Sequence, residues 1–169
     1  ISLALLEGGQ ARGGLVRDQV REECCAAERG VGAWLNGQPL QLAPASEALK
    51  DALALVDIKR LPVEVLMRLG GNAPYRSQRS LGAVALEWCW LAAGRARLYL
   101  HGGQRLWDWA AGRLIASEAG VQSRLIGPGG GRVPVELSLE PCMAVAAANQ
   151  ALLEHWTAWL GLGSAENGL

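Results

Sequence analysis

The sequence predicts an α/β protein, and three observations carry that expectation. Short apolar runs broken by glycine-rich turns fill residues 1–42, the pattern of antiparallel strands. From residue 51 onward, strand-like and helix-like segments alternate, which layers helices on a sheet. Apolar residues make up 50% of the chain and charged residues 19%, the balance of a polypeptide that buries a core.

The elements follow in order. "ISLALLE" reads as a first strand that already includes Ile1, and "GGQARGG" as a turn-rich connector. "GLVRDQVREECCAAERG" adds strand pairing around a turn near Asp18 and Gln19. "GVGAWLNGQPL" reads as a Gly-punctuated loop entering a short extended piece. "DALALVDI" is a buried strand. "LPVEVLMRLGG" is a helix, with Pro62 suited to its first turn and Gly70 or Gly71 to its end. In "RSLGAVALEWCWLAAGR", Leu81, Val84, Ala85, Trp88, Leu91 and Ala92 fall at helical spacing. Ser80 is its expected N-cap and Gly94 its stop. "ARLYLH" is a strand, a helix spans about Leu106 to Ala119, and "VQSRLIG" is a strand. "GPGGGRVP" is a loop, "CMAVAAA" a buried strand, "NQALLEHWTAWLG" a final helix and "SAENGL" a frayed tail.

Composition narrows the function. The formal net charge is zero with scattered arginines, so a nucleic-acid module, which shows a basic stripe, is not expected. No run approaches the roughly 20 apolar residues of a membrane span, and no signal peptide is visible. Cys24, Cys25, Cys89 and Cys142 form no C-x-x-C pair, and only two histidines are present to assist, which argues against zinc. Free thiols and a cytoplasmic location are expected.

Few side chains point to chemistry. Asp108 stands between two tryptophans at a predicted helix start, where a carboxylate meets exposed N–H groups and the positive end of the dipole. Capping explains such an Asp, and so does hard-cation binding; one carboxylate builds no metal site alone. "GPGGGR" lacks the Lys-Ser/Thr of a phosphate-gripping loop. Trp156 and Trp159 share a helix face and read as packing or a subunit interface. Trp88 and Trp90 do not share one, so one of them belongs nearer a surface. His101 and His155 have no carboxylate or thiol partner at a recognisable spacing, and a catalytic triad is unsupported. Glu118 reads as a structural residue at a helix end.

"LWDWAAGRLIASEAG" resembles the C-terminal signature of the inositol monophosphatase family, W-D-x-A-A-G-x-x-L/I-x-x-E-A-G-G. Trp107, Asp108, Ala110, Ala111, Gly112, Glu118, Ala119 and Gly120 match, and Val121 stands where the pattern ends in Gly. "RSLGAVALEWCWLAAGRARLYL" resembles the family's R-S-x-G-S/T-x-A-L helix and the strand after it. Residues 1–42 resemble its hairpin and G-x-G-A-x-x-N-G loop, at Gly30, Gly32, Ala33, Asn36 and Gly37. The likeness runs in order along nearly the whole chain.

The resemblance implies a layered α-β-α-β-α sandwich of the inositol monophosphatase/fructose-1,6-bisphosphatase type, with an N-terminal portion missing. Residues 1–42 would complete the N-terminal sheet, and 43–169 would form the C-terminal α/β domain. It implies a Mg²⁺-dependent phosphomonoesterase acting on a small phosphorylated alcohol, inositol or sugar by two-metal water activation, commonly as a homodimer. Asp108 takes the place of a metal ligand, while Gly82, Ala83 and His101 take substrate-facing places. Three departures stand out. The D-P-I/L-D-G-T metal motif is absent: none of Asp18, Asp51, Asp57 and Asp108 precedes Gly-Thr. His101 replaces a Glu that contacts a ring hydroxyl, and an imidazole does not copy an acceptor-only carboxylate. Ala83 replaces a hydroxyl residue. The chain alone is therefore expected to be inactive. The alternatives are a 3′-phosphoadenosine 5′-phosphate or fructose bisphosphate phosphatase, and a non-catalytic family remnant acting as a binding or oligomerisation module.

Overall fold

Residues 2–40 form an antiparallel meander in which each strand pairs with the next. The strands are β1 (Ser2–Glu7), β2 (Gln10–Asp18), β3 (Glu23–Glu28), β4 (Gly32–Leu35) and β5 (Gln38–Leu40). The structure, a computed structural model, describes residues 1–44, 46–127 and 139–162. The expected loop at residues 128–134 and the expected frayed tail lie outside the described residues.

Two local readings change in this sheet. Ile1 precedes the first strand, although its amino group donates to the Arg17 carbonyl. The segment read as a loop around Asn36 is a hairpin. Asn36 and Gly37 both take positive φ, 49° and 78°, which is what a two-residue Asn-Gly turn requires. The Asn36 side-chain oxygen also accepts from the Cys24 N–H at 2.7 Å, binding the turn to β3.

The second sheet holds β6 (Leu53–Asp57), β7 (Ser77–Arg79), β8 (Leu98–Gln104), β9 (Gln122–Ile126) and β10 (Cys142–Ala147), in the order β7-β6-β8-β10-β9. β6 runs parallel to both β7 and β8, whereas β10 runs antiparallel to β8 and β9. β7 has three residues and no apolar run, so hydrophobic periodicity does not announce it.

Four helices complete the layers: α1 (Val63–Asn72), α2 (Val84–Ala92), α3 (Leu106–Glu118) and α4 (Gln150–Leu160). Alternation along the strands of the second sheet sends side chains to two cores. Leu55, Tyr99, Ala144 and Ala146 face α2, α3 and the first sheet. Ala54, Val56, Leu98, Leu100 and Val145 face the other way, packing with Val65 of α1 and Leu152, Leu153 and Trp156 of α4. The order sheet–helices–sheet–helices gives four layers of an α/β sandwich. Leu3 and Leu5 on β1 are 61% and 68% exposed, so no layer among the described residues covers them.

Helix ends differ from the sequence expectation in instructive ways. Pro62 is the N-cap of α1, not its first turn, and the helix passes through Gly70 and Gly71 to Asn72. Ala83, not Ser80, caps α2, with no side-chain bond. The predicted α3 is found almost as drawn. Asn149 caps α4 by accepting from the Leu152 N–H at 2.8 Å.

α2 and α3 meet closely at Gly112, where a methyl group would sit 2.6 Å from the Trp88 Cβ. Trp88 is fully buried. Trp90, on the opposite side of α2, lies between the guanidinium groups of Arg21 and Arg95, 5.5 and 5.7 Å from its ring. Trp156 and Trp159 stack at 5.6 Å within α4, as packing residues. Glu118 accepts from the Gly30 N–H at 3.0 Å and ties the end of α3 to the first sheet.

Candidate functional site

β6, β7 and β8 are parallel, and each is followed by a helix. The loops into α1, α2 and α3 therefore leave the second sheet along one edge, the carboxyl ends of the strands. That edge is where open α/β sheets bind ligands. Three helix N-termini, each with unsatisfied N–H groups and a positive dipole end, open onto it.

Asp108 occupies the first turn of α3 and is half-buried. Its Oδ2 accepts from the Arg105 N–H at 2.9 Å, while its own N–H donates to the Arg105 carbonyl at 2.8 Å. The capping role therefore exists. It occupies one oxygen; Oδ1 accepts no hydrogen bond among the described residues. Gly82 and Ala83 lie in the loop into α2. Gly82 is exposed at φ 67°, a conformation that suits glycine. Ala83 at φ −138° turns the chain into the helix.

His101, expected to lack a carboxylate partner, has one. The parallel register sets Asp57 of β6 opposite His101 of β8, and the imidazole Nε2 lies 3.6 Å from Asp57 Oδ2. Nδ1 accepts from the Gly103 N–H at 3.1 Å, so the neutral ring carries its proton on Nε2, toward Asp57. The ring is only 6% exposed. Burial pushes its pKa below the usual histidine value, against the upward pull of Asp57, Glu87 and Asp108 and with a smaller downward push from Arg60. A histidine held neutral by burial adds stability that is full above its unfolded pKa of about 6.5 and is lost as the pH falls below it toward the folded value. Urea unfolding should accordingly show stability falling as the pH drops through about 6.5 and below. His101→Gln should flatten that drop, and an unchanged slope would remove His101 as its source.

Glu87 was not singled out in the sequence, yet it organises the site from beneath. Its side chain, 1% exposed, accepts from the Leu81 N–H at 2.9 Å and so holds the loop carrying Gly82 and Ala83. The Tyr99 hydroxyl lies near enough to Glu87 to feel its charge. Tyr99 in turn accepts from Gln104 Nε2 at 2.6 Å, and Gln104 Oε1 accepts from Trp88 Nε1 at 3.1 Å. Burial, with Glu87 beside it, raises the Tyr99 pKa well above its ordinary value. This fully buried chain fixes α2 against β8. The legible signal was a carboxylate in the first turn of an otherwise apolar helix.

The fit to magnesium is partial. The free oxygen of Asp108 suits a hard cation. Among the described residues, however, no three His, Cys, Asp or Glu side chains converge to hold a metal ion. Asp108 is at most one ligand of such a site.

Four alternating layers, with helix N-termini and the Asp57 and Asp108 carboxylates gathered at the strand ends, define the class: a layered α/β sandwich. The sequence profile of the inositol monophosphatase family matches residues 1–160, and the chain belongs to that family. It is 35% identical over 168 residues to inositol monophosphatase 1 of Solanum lycopersicum, covering 96% of this chain and 59% of that protein. It is 33% identical to the inositol-1-monophosphatase of Bacillus subtilis (71% of this chain, 46% of that one) and 32% identical to the Nus factor SuhB of Pasteurella multocida (71% and 46%). Among solved structures, the extragenic suppressor protein suhB of Bartonella henselae superposes with a TM-score of 0.79 at 26% identity, over 99% of this chain and 62% of that one. The inositol monophosphate-bound SaIMPase-II superposes equally well, at 0.79 and 24% identity, over 95% and 60%. The chain thus spans about half to three-fifths of the length of the relatives it matches.

Proposed function

We propose that the intact protein is a magnesium-dependent phosphomonoesterase that hydrolyses a small phosphorylated alcohol, inositol or sugar. The observation that carries this reading is the Asp108 carboxylate, with one free oxygen, in the family's W-D motif at an edge where three helices begin. In this reading Asp108 is one metal ligand, and the other ligands come from polypeptide outside these residues. Gly82, Ala83 and His101 border the substrate. Residues 1–42 complete an N-terminal sheet, and 43–169 form the C-terminal α/β domain. A bound magnesium ion supplies positive charge against a phosphoryl oxygen and lowers the pKa of coordinated water. This chain's own part is to hold Asp108 in one rotamer through the Arg105 N–H and to present the α2 N-terminus toward the anionic ester. A cytoplasmic setting and a homodimer belong to the same proposal, the latter supported by the family and by Trp107, which is 62% exposed.

The test is phosphate release from a panel of esters by the intact polypeptide, with and without magnesium. Release that requires magnesium and favours a small alcohol or sugar phosphate is expected. Release from none of the esters removes the enzymatic reading and leaves the chain as a binding or oligomerisation module. Calorimetry on the 169 residues alone should show magnesium binding weaker than about 1 mM, because one carboxylate is too few.

A further inference from the structure

The loop from β6 into α1, residues 58–62, is built against β8 in an unusual way. A methyl group on Gly102 would lie 2.3 Å from the Lys59 carbonyl oxygen and 2.5 Å from the Arg60 carbonyl carbon and the Leu61 nitrogen. The loop backbone therefore rests directly on the strand. One residue further on, a methyl group on Gly103 would lie 2.9 Å from Arg60 Cδ, so the arginine stem lies across Gly103. Arg60 itself has φ 62°. A long side chain in the left-handed region is strained and persists only where the surroundings impose it.

The guanidinium held there is nearly unspent. Arg12, Arg21 and Arg95 each pair with a carboxylate, whereas most other arginines among the described residues do not, so the seat on Gly103 is what sets Arg60 apart. Arg60 pairs with none among the described residues; its only hydrogen bond runs from Nη1 to the Gly103 carbonyl, at a long 3.4 Å. Most of its five N–H donors remain available. Its stem lies across Gly103, two residues beyond His101 at the end of β8, the edge from which α3 and Asp108 follow. His101, for its part, offers a substrate no free acceptor: Nδ1 takes the Gly103 N–H, and Nε2 faces Asp57. A donating ring hydroxyl finds no acceptor on His101, only the Asp57 carboxylate behind it, whereas an acceptor finds an arginine.

We propose that Arg60 reads a second anionic group on the substrate, a carboxylate or a second phosphate, at the end away from the scissile ester. The assignment rests on the phosphomonoesterase reading and specifies its substrate class. An unpaired, preorganised guanidinium matches either anion in bidentate fashion. Arg60 and Lys59 are both exposed on this loop, and their two positive charges outnumber the Asp57 carboxylate at its start.

The intact polypeptide is assayed with magnesium on three esters: glycerol 3-phosphate, 3-phosphoglycerate and fructose 1,6-bisphosphate. The first has a neutral tail, the second a carboxylate and the third a second phosphate. The wild type should favour one or both anionic esters over glycerol 3-phosphate by about 10- to 100-fold in kcat/KM, the size of one charge-assisted contact. Arg60→Ala should collapse that ratio toward one, chiefly through KM. Arg60→Lys should keep part of it, and salt should erode it. Preference for the carboxylate or for the bisphosphate identifies the group. A wild type without preference, or a preference that survives Arg60→Ala, overturns the assignment and leaves the phosphatase reading standing. Hydrolysis of none of the three or of the wider panel removes the phosphatase reading, and this assignment with it.

Discussion

Replacing Gly102 with alanine should lower the melting temperature of the chain by roughly 6–12 °C. The added methyl has no cheap way out. Its nearest neighbours are backbone atoms of residues 59–61, at 2.3 to 2.5 Å, not the tip of a flexible side chain. Gly102 follows the last β6 pair, at His101, and lies between the β10 pairs at His101 and Gln104. Those flanking pairs limit how far the strand can retreat, so the loop must lift. Overpacking of this kind costs about 3 kcal/mol, the upper end of the usual range. For a chain of this size, each kcal/mol is worth roughly 2–4 °C. Gly71→Ala is the matched control. The added methyl meets nothing within 4 Å, in a helix where alanine is the better former, so the melting temperature should hold or rise. Thermal melts of the two variants decide the matter; equal melting temperatures would mean that the loop does not rest on β8 as described.

The same contact explains what could and could not be read from the residue order. Elements with their own periodicity were legible: α3, α4 and the buried strands β6 and β10 fall where the apolar spacing puts them. The antiparallel strands of residues 1–42 were legible too, because their turns are local, whereas the antiparallel β8–β10–β9 pairing was not. The Asp57–His101 pair was not, since it joins residues 44 positions apart through a parallel register that only the finished sheet defines. β7 escaped because three polar residues, Ser77, Gln78 and Arg79, carry no hydrophobic pattern. Glu87 was visible as a letter but not as an anchor. Its partners, Leu81 and Tyr99, are brought together by the packing of α2 on β8. For the proposed site, the motif pointed to Asp108. Nothing local pointed to Arg60, because what sets it apart is a positive φ and two glycines on another strand. Local chemistry can be read locally; convergence of side chains from separate loops needs the topology.

The second large effect concerns Asp108, where an observed cap and a proposed metal ligand share one carboxylate. Asp108→Asn keeps the shape and an acceptor oxygen for the Arg105 N–H, so the start of α3 should survive with a melting temperature near that of the wild type. What it removes is the negative charge of the oxygen that accepts no protein hydrogen bond. If that charge helps hold a catalytic magnesium ion, turnover by the intact polypeptide should fall about 10²- to 10³-fold, the worth of several kcal/mol of charge stabilisation. Asp108→Ala removes the acceptor as well. It should match the asparagine variant in turnover while losing roughly a further 1 kcal/mol of stability from the lost cap. The pair of variants separates the two roles, because capping predicts a difference between them in stability and metal ligation predicts none in activity. An asparagine variant that turns over ester at close to the wild-type rate would leave Asp108 as a cap alone, and the magnesium site would have to be built without it.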